Sequence, residues 1–441
     1  MITAQLAVAD LRSSWRVWCG LFAVCAVAAM AGSVPGTLVV GGLETPDVRG
    51  LAMLSIAGTT AAFALIAVLV VVSAIVGLTA ALLDRTYGLW QLAGVTPRGV
   101  RWTMLVQTAL VSTAGAVAGA AAAVGVVPPA VSAALLDSNG LADVRVAPSW
   151  GEAFVVVVVT AGAAILAGAS GSRRAAAASP STGLGSPTAS RRSAVVRATV
   201  AVLFVALAGS MLAGMPASIP DGAAPALLIG PVLVAAVAVL GRSVGTPAVR
   251  VWTAIVPAGV SVAFGLARAA VRWSSTRSDT TLAALLVAVG LPTALVGGQR
   301  TAASAIGADA PGGAGATVLV LSGPVLLAAI GAAATAAMAA RDRARERDQL
   351  RAVGGSPGLP VRVAALEGLV LGVTGTLVAA AVVAVAVTAE WAVLVGEYPG
   401  ARPVFPVALL GAVAVFSTGL VVVSSVLPAL PTSRHRGPVQ A

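Results

Sequence analysis

Eight charged residues fall within the eleven positions from Arg341 to Arg351, in a run that reads RDRARERDQLRAVGG to Gly355. At about 2.5–3.5 kcal/mol for each charge placed at the centre of a bilayer, this run must project into water. Ala, Arg, Gln and Leu favour helix, and Gly354 and Gly355 supply a stop. The spacing predicts an apolar segment that continues as a charged stalk, breaks at the glycines and returns to apolar sequence near Val361. Two readings fit it: a solvated loop, or a surface that docks a partner through charge-assisted contacts. Catalysis within the chain has little to work with. Lysine is absent, the one histidine is His435, and no cluster has metal-ligand spacing. A phosphate-binding P-loop needs its lysine, so the chain is not expected to hydrolyse nucleotide, and no cofactor is expected in it. Asp143, Glu152, Glu390 and Glu397 lie near the ends of apolar segments, where they form either an acidic vestibule or ordinary loop solvation.

The elements that must position these residues are apolar helices. Of 441 residues, 58% are hydrophobic and 10% charged, far from the roughly 45–50% and 25% of soluble domains. Apolar blocks of about 20 residues, the length that crosses a bilayer core as helix, recur along the chain. The expectation is an all-α integral membrane protein of ten spans: 17–41, 53–83, 103–128, 151–170, 198–215, 224–241, 280–299, 316–340, 361–388 and 405–428. The segment 249–262 is read as interfacial, because it is short and contains Pro257. With the N-terminus cytoplasmic, only Arg49, Arg145, Arg300 and Arg402 of the 27 basic residues fall outside. That agrees with the positive-inside rule and places both termini on the cytoplasmic side; the membrane is expected to be a bacterial-type plasma membrane. The net charge of +11 thus reports orientation; the arginines lie between spans without interleaved aromatics, which argues against nucleic acid as a partner. Residues 6–15 read as an amphipathic surface helix, with a cleaved signal peptide as the alternative. Cys19 and Cys25 lie on different faces of the first span, so no disulfide is expected between them.

Sliding the chain against itself by 260 positions brings separate features into register. Leu6, Ala7, Ala9, Arg12 and Ser14 fall on Leu266, Ala267, Ala269, Arg272 and Ser274. Arg85, Gly94, Pro97 and Gly115 fall on Arg345, Gly354, Pro357 and Gly375, while Thr96 meets Ser356, Gln107 meets Glu367 and Gly151 meets Gly411. A constant offset across surface helix, polar loop and final span argues for two four-span units. The expected divisions are 1–170, the first unit; 171–197, a flexible Arg-rich linker; 198–241, two additional spans; 242–265, a connector; 266–430, the second unit; and 431–441, a basic tail.

The run RERDQLRAVGGS, followed by Glu367, resembles the signature of the FtsX-like permease family: Arg-Glu, then Leu-Arg-Ala-x-Gly-x-Ser, then a Glu opening the next span. Arg345, Glu346, Leu350, Arg351, Ala352, Gly354, Ser356 and Glu367 match that pattern. The first copy carries Arg85, Leu92, Gly94 and Thr96 along the corresponding stretch but has Thr86, Gln91 and Gln107 where the pattern has Glu, Arg and Glu. The resemblance implies that both stretches are coupling segments docking on a separate ABC ATPase subunit, two copies per permease, which binds ATP and Mg. It further implies a non-catalytic permease that exports an amphiphile, lipid or peptide. The alternative is a sensing or resistance module that transmits a signal without net transport. Family members with a large extracytoplasmic domain differ from this chain, whose outer gaps hold no more than about two dozen residues, too few for a core.

Overall fold

The computed structural model describes residues 10–11, 14–45, 47–136, 149–177, 191–218, 224–257, 261–273, 275–307, 314–339, 356 and 358–429. The described residues are almost entirely helical, and twelve helices organise them. They are α1 (Trp15–Glu44), α2 (Val48–Leu92), α3 (Pro97–Leu136), α4 (Trp150–Ala177), α5 (Arg191–Ser218), α6 (Ala224–Leu240), α7 (Arg242–Ile255), α8 (Val262–Trp273), α9 (Ser275–Ala305), α10 (Ala314–Ala339), α11 (Leu359–Leu394) and α12 (Val407–Val426). Nine of them are long and apolar enough to cross a membrane, and the bent pair of α6 and α7, where it is counted as one span, brings the number to ten. The chain is an all-α, multi-pass membrane protein. Large apolar side chains such as Leu203, Leu166, Phe154 and Val415 are exposed around the bundle, as expected where lipid takes the place of water.

Each expected span has its helix, but several helices run farther than hydropathy suggests. The segment 171–197, read as a flexible linker, is helical over 171–177 and 191–197, and only 178–190 lie outside the described residues. Its alanines and arginines are good helix formers, so α4 and α5 continue past the apolar stretch that identifies them. The connector 242–265 is also structured: α7 leaves α6 at 88°, after a corner at Gly241 with φ +46°, a conformation that favours glycine.

Helices α1–α4 and α9–α12 pack in one pairwise order. In each group the first helix packs on the second, third and fourth, and the fourth also on the second and third. Glycines make the closest crossing possible. A Cβ on Gly115 of α3 would lie 3.1 Å from the Cβ of Cys25 in α1, and one on Gly375 of α11 would lie 2.9 Å from the Cβ of Leu285 in α9. Both members of the second pair stand 260 positions after those of the first.

The two groups meet through α1, α2 and α3 on one side and α9 and α10 on the other. At their centre Gly331 of α10 faces Val71 of α2, and a Cβ there would overlap the valine side chain. Residues 71 and 331 are also 260 apart, so a residue of one group touches its own counterpart in the other. Such a contact marks a pseudo-two-fold axis. Gly331→Val is expected to cost about 1–3 kcal/mol by overpacking, and adding Val71→Ala should return most of it. Thermal unfolding of the two variants checks this, and a double variant no more stable than the single one would contradict the packing.

Candidate functional site

The first of the two sequence-matched stretches is described, and it forms a stalk. Helix α2 is 45 residues long, about 67 Å at 1.5 Å per residue, against a hydrocarbon core of about 30 Å. Its candidate span ends at Asp84, so Arg85 to Leu92 continue the helix beyond it. Termination follows from residue type. Gly94, with φ +92°, donates its N–H to the Gln91 carbonyl at 3.0 Å, and Val95 donates to the Trp90 carbonyl at 2.9 Å. These two bonds are a Schellman motif, which a glycine in the left-handed region closes at little cost. Thr96 then caps α3: its Oγ1 accepts from the Gly99 N–H at 3.2 Å, and Pro97 takes the first helical position, where no N–H is needed. The stalk, break and return that the charge run suggests for 341–361 are therefore present at the matching positions of the first group.

The tip of the stalk is apolar and uncovered. Leu89 is 58% exposed and Leu92 67%. Its base is clamped by a buried polar chain that crosses three segments. The Tyr87 hydroxyl donates to Gln107 Oε1 at 3.2 Å, and Gln107 Nε2 donates to Asp10 Oδ2 at 3.0 Å. Tyr87 also packs edge-on against Trp90, with ring centroids 5.5 Å apart. Burial pushes the Asp10 carboxyl above the usual aspartate range, and the bond from Gln107 opposes the shift. Burial raises the Tyr87 phenol well above its ordinary value, assisted by the charges of Asp10 and Asp84. Stalk, third helix and N-terminal segment are thus tied by one set of hydrogen bonds.

Of the residues singled out in the second stretch, Arg345, Glu346, Leu350, Arg351, Ala352 and Gly354 lie outside the described residues. Ser356 is exposed and its carbonyl accepts from the Leu359 N–H at 3.0 Å as α11 begins. Glu367 is buried, 4% exposed, in α11, and its counterpart Gln107 is buried in α3. Sequence reasoning selected Arg85, Leu92, Gly94 and Thr96 but missed Tyr87 and Asp10; a tyrosine beyond the end of an apolar block was the available signal.

The four carboxylates Asp143, Glu152, Glu390 and Glu397 do not share a role. Asp143 lies outside the described residues, and Glu397 is exposed, as loop solvation requires. Glu152 lies half-buried at the start of α4, over a notch left by Gly36 of α1, with Oε2 buried and unpartnered. Glu390 is fully buried in α11, so solvation does not account for it. Among the described residues no group of His, Cys, Asp and Glu is placed to hold a metal ion, and Cys19 and Cys25 are free thiols, the first exposed and the second buried. No protein-family model matches this chain, and no curated protein matches it.

Proposed function

We propose that this protein is the membrane-spanning permease subunit of an ABC transporter of the FtsX-like type, whose ATPase subunits are separate chains. The observation that carries the reading is the stalk between α2 and α3. It leaves the apolar region, presents Leu89 and Leu92 to solvent, turns at a glycine and is held by the Tyr87–Gln107–Asp10 chain to α3. A surface of that kind suits a cytoplasmic partner that pushes on it, because displacement of the stalk passes directly to α3 and the N-terminal segment. The repeated packing of α1–α4 and α9–α12 supports two such inputs, one from each ATPase copy, and the residue-by-residue match of Arg345 to Ser356 supports the second. Closure of the ATPase pair on ATP then moves the two groups about the contact of Val71 with Gly331, and the outer ends of the spans expel an amphiphile, lipid or peptide.

Orientation gives the first test. In a background carrying Cys19→Ser and Cys25→Ala, a cysteine at Ser356 should be shielded from an impermeant thiol reagent in intact cells, and one at Gly400 should react. Both positions are exposed, so failure to react reports sidedness rather than burial. Labelling of position 356 from outside would put the stalks on the wrong side for an ATPase and end the proposal. The second test is co-expression with candidate ABC ATPases, in which a stable complex whose ATP turnover depends on the permease is the expected result.

A further inference from the structure

Helices α7 and α8 carry a cluster of three arginines, Arg250, Arg268 and Arg272. Arg272 Nη2 donates to Thr253 Oγ1 at 3.0 Å and to the Arg250 carbonyl at 3.5 Å, which brings the two helices together. Its Nε is buried without a partner. Burial lowers the pKa of this guanidinium, and the positive charges of Arg268 and Arg250 lower it further. Three cations therefore share one small region. Asp279, Thr246 and Ser278 line the hollow beside Arg272.

The same two helices expose large apolar side chains: Val251 at 69%, Ile255 at 79%, Val262 at 74% and Trp273 at 91%. Their opposite sides are buried, through Val249 and Thr253 in α7 and Ala263, Phe264, Ala267 and Val271 in α8, and both helices pack on α11. Because α7 turns 88° away from α6, it lies across the direction of that helix, and the bonds from Arg272 hold α8 against it. A helix pair in that position, with arginines beside an exposed tryptophan and aliphatics, has the make-up of a membrane-surface element.

We infer that Arg250, Arg268 and Arg272 form a site for the phosphate-bearing headgroup of an anionic phospholipid, whose acyl chains lie against Val251, Ile255, Val262 and Trp273. Free phosphate offers the same anionic oxygens, but only a lipid also covers the apolar residues, and the juxtaposition of both features favours the lipid. The site communicates with the bundle. Trp252 Nε1 donates to Thr374 Oγ1 at 2.8 Å, and Thr374 is buried in the middle of α11, so a headgroup that steadies α7 also steadies that span. The inference needs only the membrane setting and stands apart from the ATPase reading.

Titration of the detergent-purified protein with phosphatidylglycerol, phosphatidylcholine or inorganic phosphate, read by native mass spectrometry, tests it. Phosphatidylglycerol should bind in preference to phosphatidylcholine, and excess inorganic phosphate should not displace it. Arg250→Gln and Arg268→Gln should each weaken phosphatidylglycerol binding about five-fold. Both leave the bond from Arg272 to Thr253 in place, so the helix pair stays assembled. Arg173→Gln, at an exposed arginine on another helix, should leave the affinity unchanged. Equal binding of the two lipids, displacement by phosphate, or an Arg173→Gln effect as large as the others would each overturn the assignment.

Discussion

Arg351→Ala is expected to reduce co-purification of the ATPase, or the ATP turnover coupled to it, roughly ten-fold or more, while Gln91→Ala does much less. The two positions are equivalent under the 260-residue offset, and they differ in charge. A docking contact made by an arginine is charge-assisted, and its loss usually costs about 1.5–3 kcal/mol, roughly ten-fold to more than a hundred-fold in an equilibrium. Gln91 can contribute a neutral bond at most, and the carbonyl that ends the stalk helix there is a backbone group that alanine retains. The stalk around Gln91 offers Leu89 and Leu92 instead, so docking on that side is expected to rest on apolar contact. Gly354→Pro belongs in the same series. Its counterpart Gly94 adopts φ +92°, which proline cannot reach, and its N–H closes the turn. If wild type, Arg351→Ala and Gly354→Pro retain equal amounts of ATPase, the charged run is a solvated loop and the case for an ATP-driven machine loses its main support.

Much of the architecture was legible in the sequence because two strong signals agree in it. Apolar blocks of bilayer length gave the helices, and the arginine bias between them gave a consistent alternation. Glycine carried more information than its abundance suggested: Gly115 and Gly375, matched by offset alone, stand where the first and third helices of each group cross. The ends of helices were less legible. Hydropathy registers where apolar sequence stops, whereas Ala- and Arg-rich stretches such as 171–177 and 191–197 remain helical in water. The clamp at the base of the stalk was hidden for a different reason. Asp10 and Gln107 are 97 positions apart, and nothing in the spacing of either residue signals the other. Glu390 was misplaced by a boundary: a span ending at 388 leaves it in solvent, but α11 runs to Leu394 and draws it into the packed interior.

Glu390→Leu is expected to raise thermal stability and at the same time slow the working complex. The side chain is 0% exposed, and both carboxyl oxygens are buried without a hydrogen-bond partner. They face Gly298 of α9, where even a Cβ would lie 3.2 Å from each oxygen, and that glycine backs in turn on the Ala226 carbonyl of α6. Three helices therefore close around a polar group that none of them satisfies, which costs about 1–3 kcal/mol. Leucine fills a similar volume without the penalty, so the gain on substitution should be of that order. An intramembrane acid with no structural return is ordinarily kept for function. One turn beyond it, the chain after α11 is fastened to α9: the Arg402 N–H donates to Ser304 Oγ at 2.9 Å and the Val404 N–H to Thr301 Oγ1 at 3.2 Å. On the proposed transport reading, release of that latch would part α11 from α9 and open Glu390 to water, which would recover its cost. Glu390→Gln keeps the shape and some hydrogen-bonding capacity but removes the acid. It should therefore slow turnover about as much as Glu390→Leu, at least ten-fold, with a smaller gain in stability. Thermal midpoints and ATP turnover of the assembled complex in lipid nanodiscs separate the cases. A midpoint that falls in Glu390→Leu means the acid has a partner in the resting protein, and unchanged turnover in both variants means the open state makes no use of it.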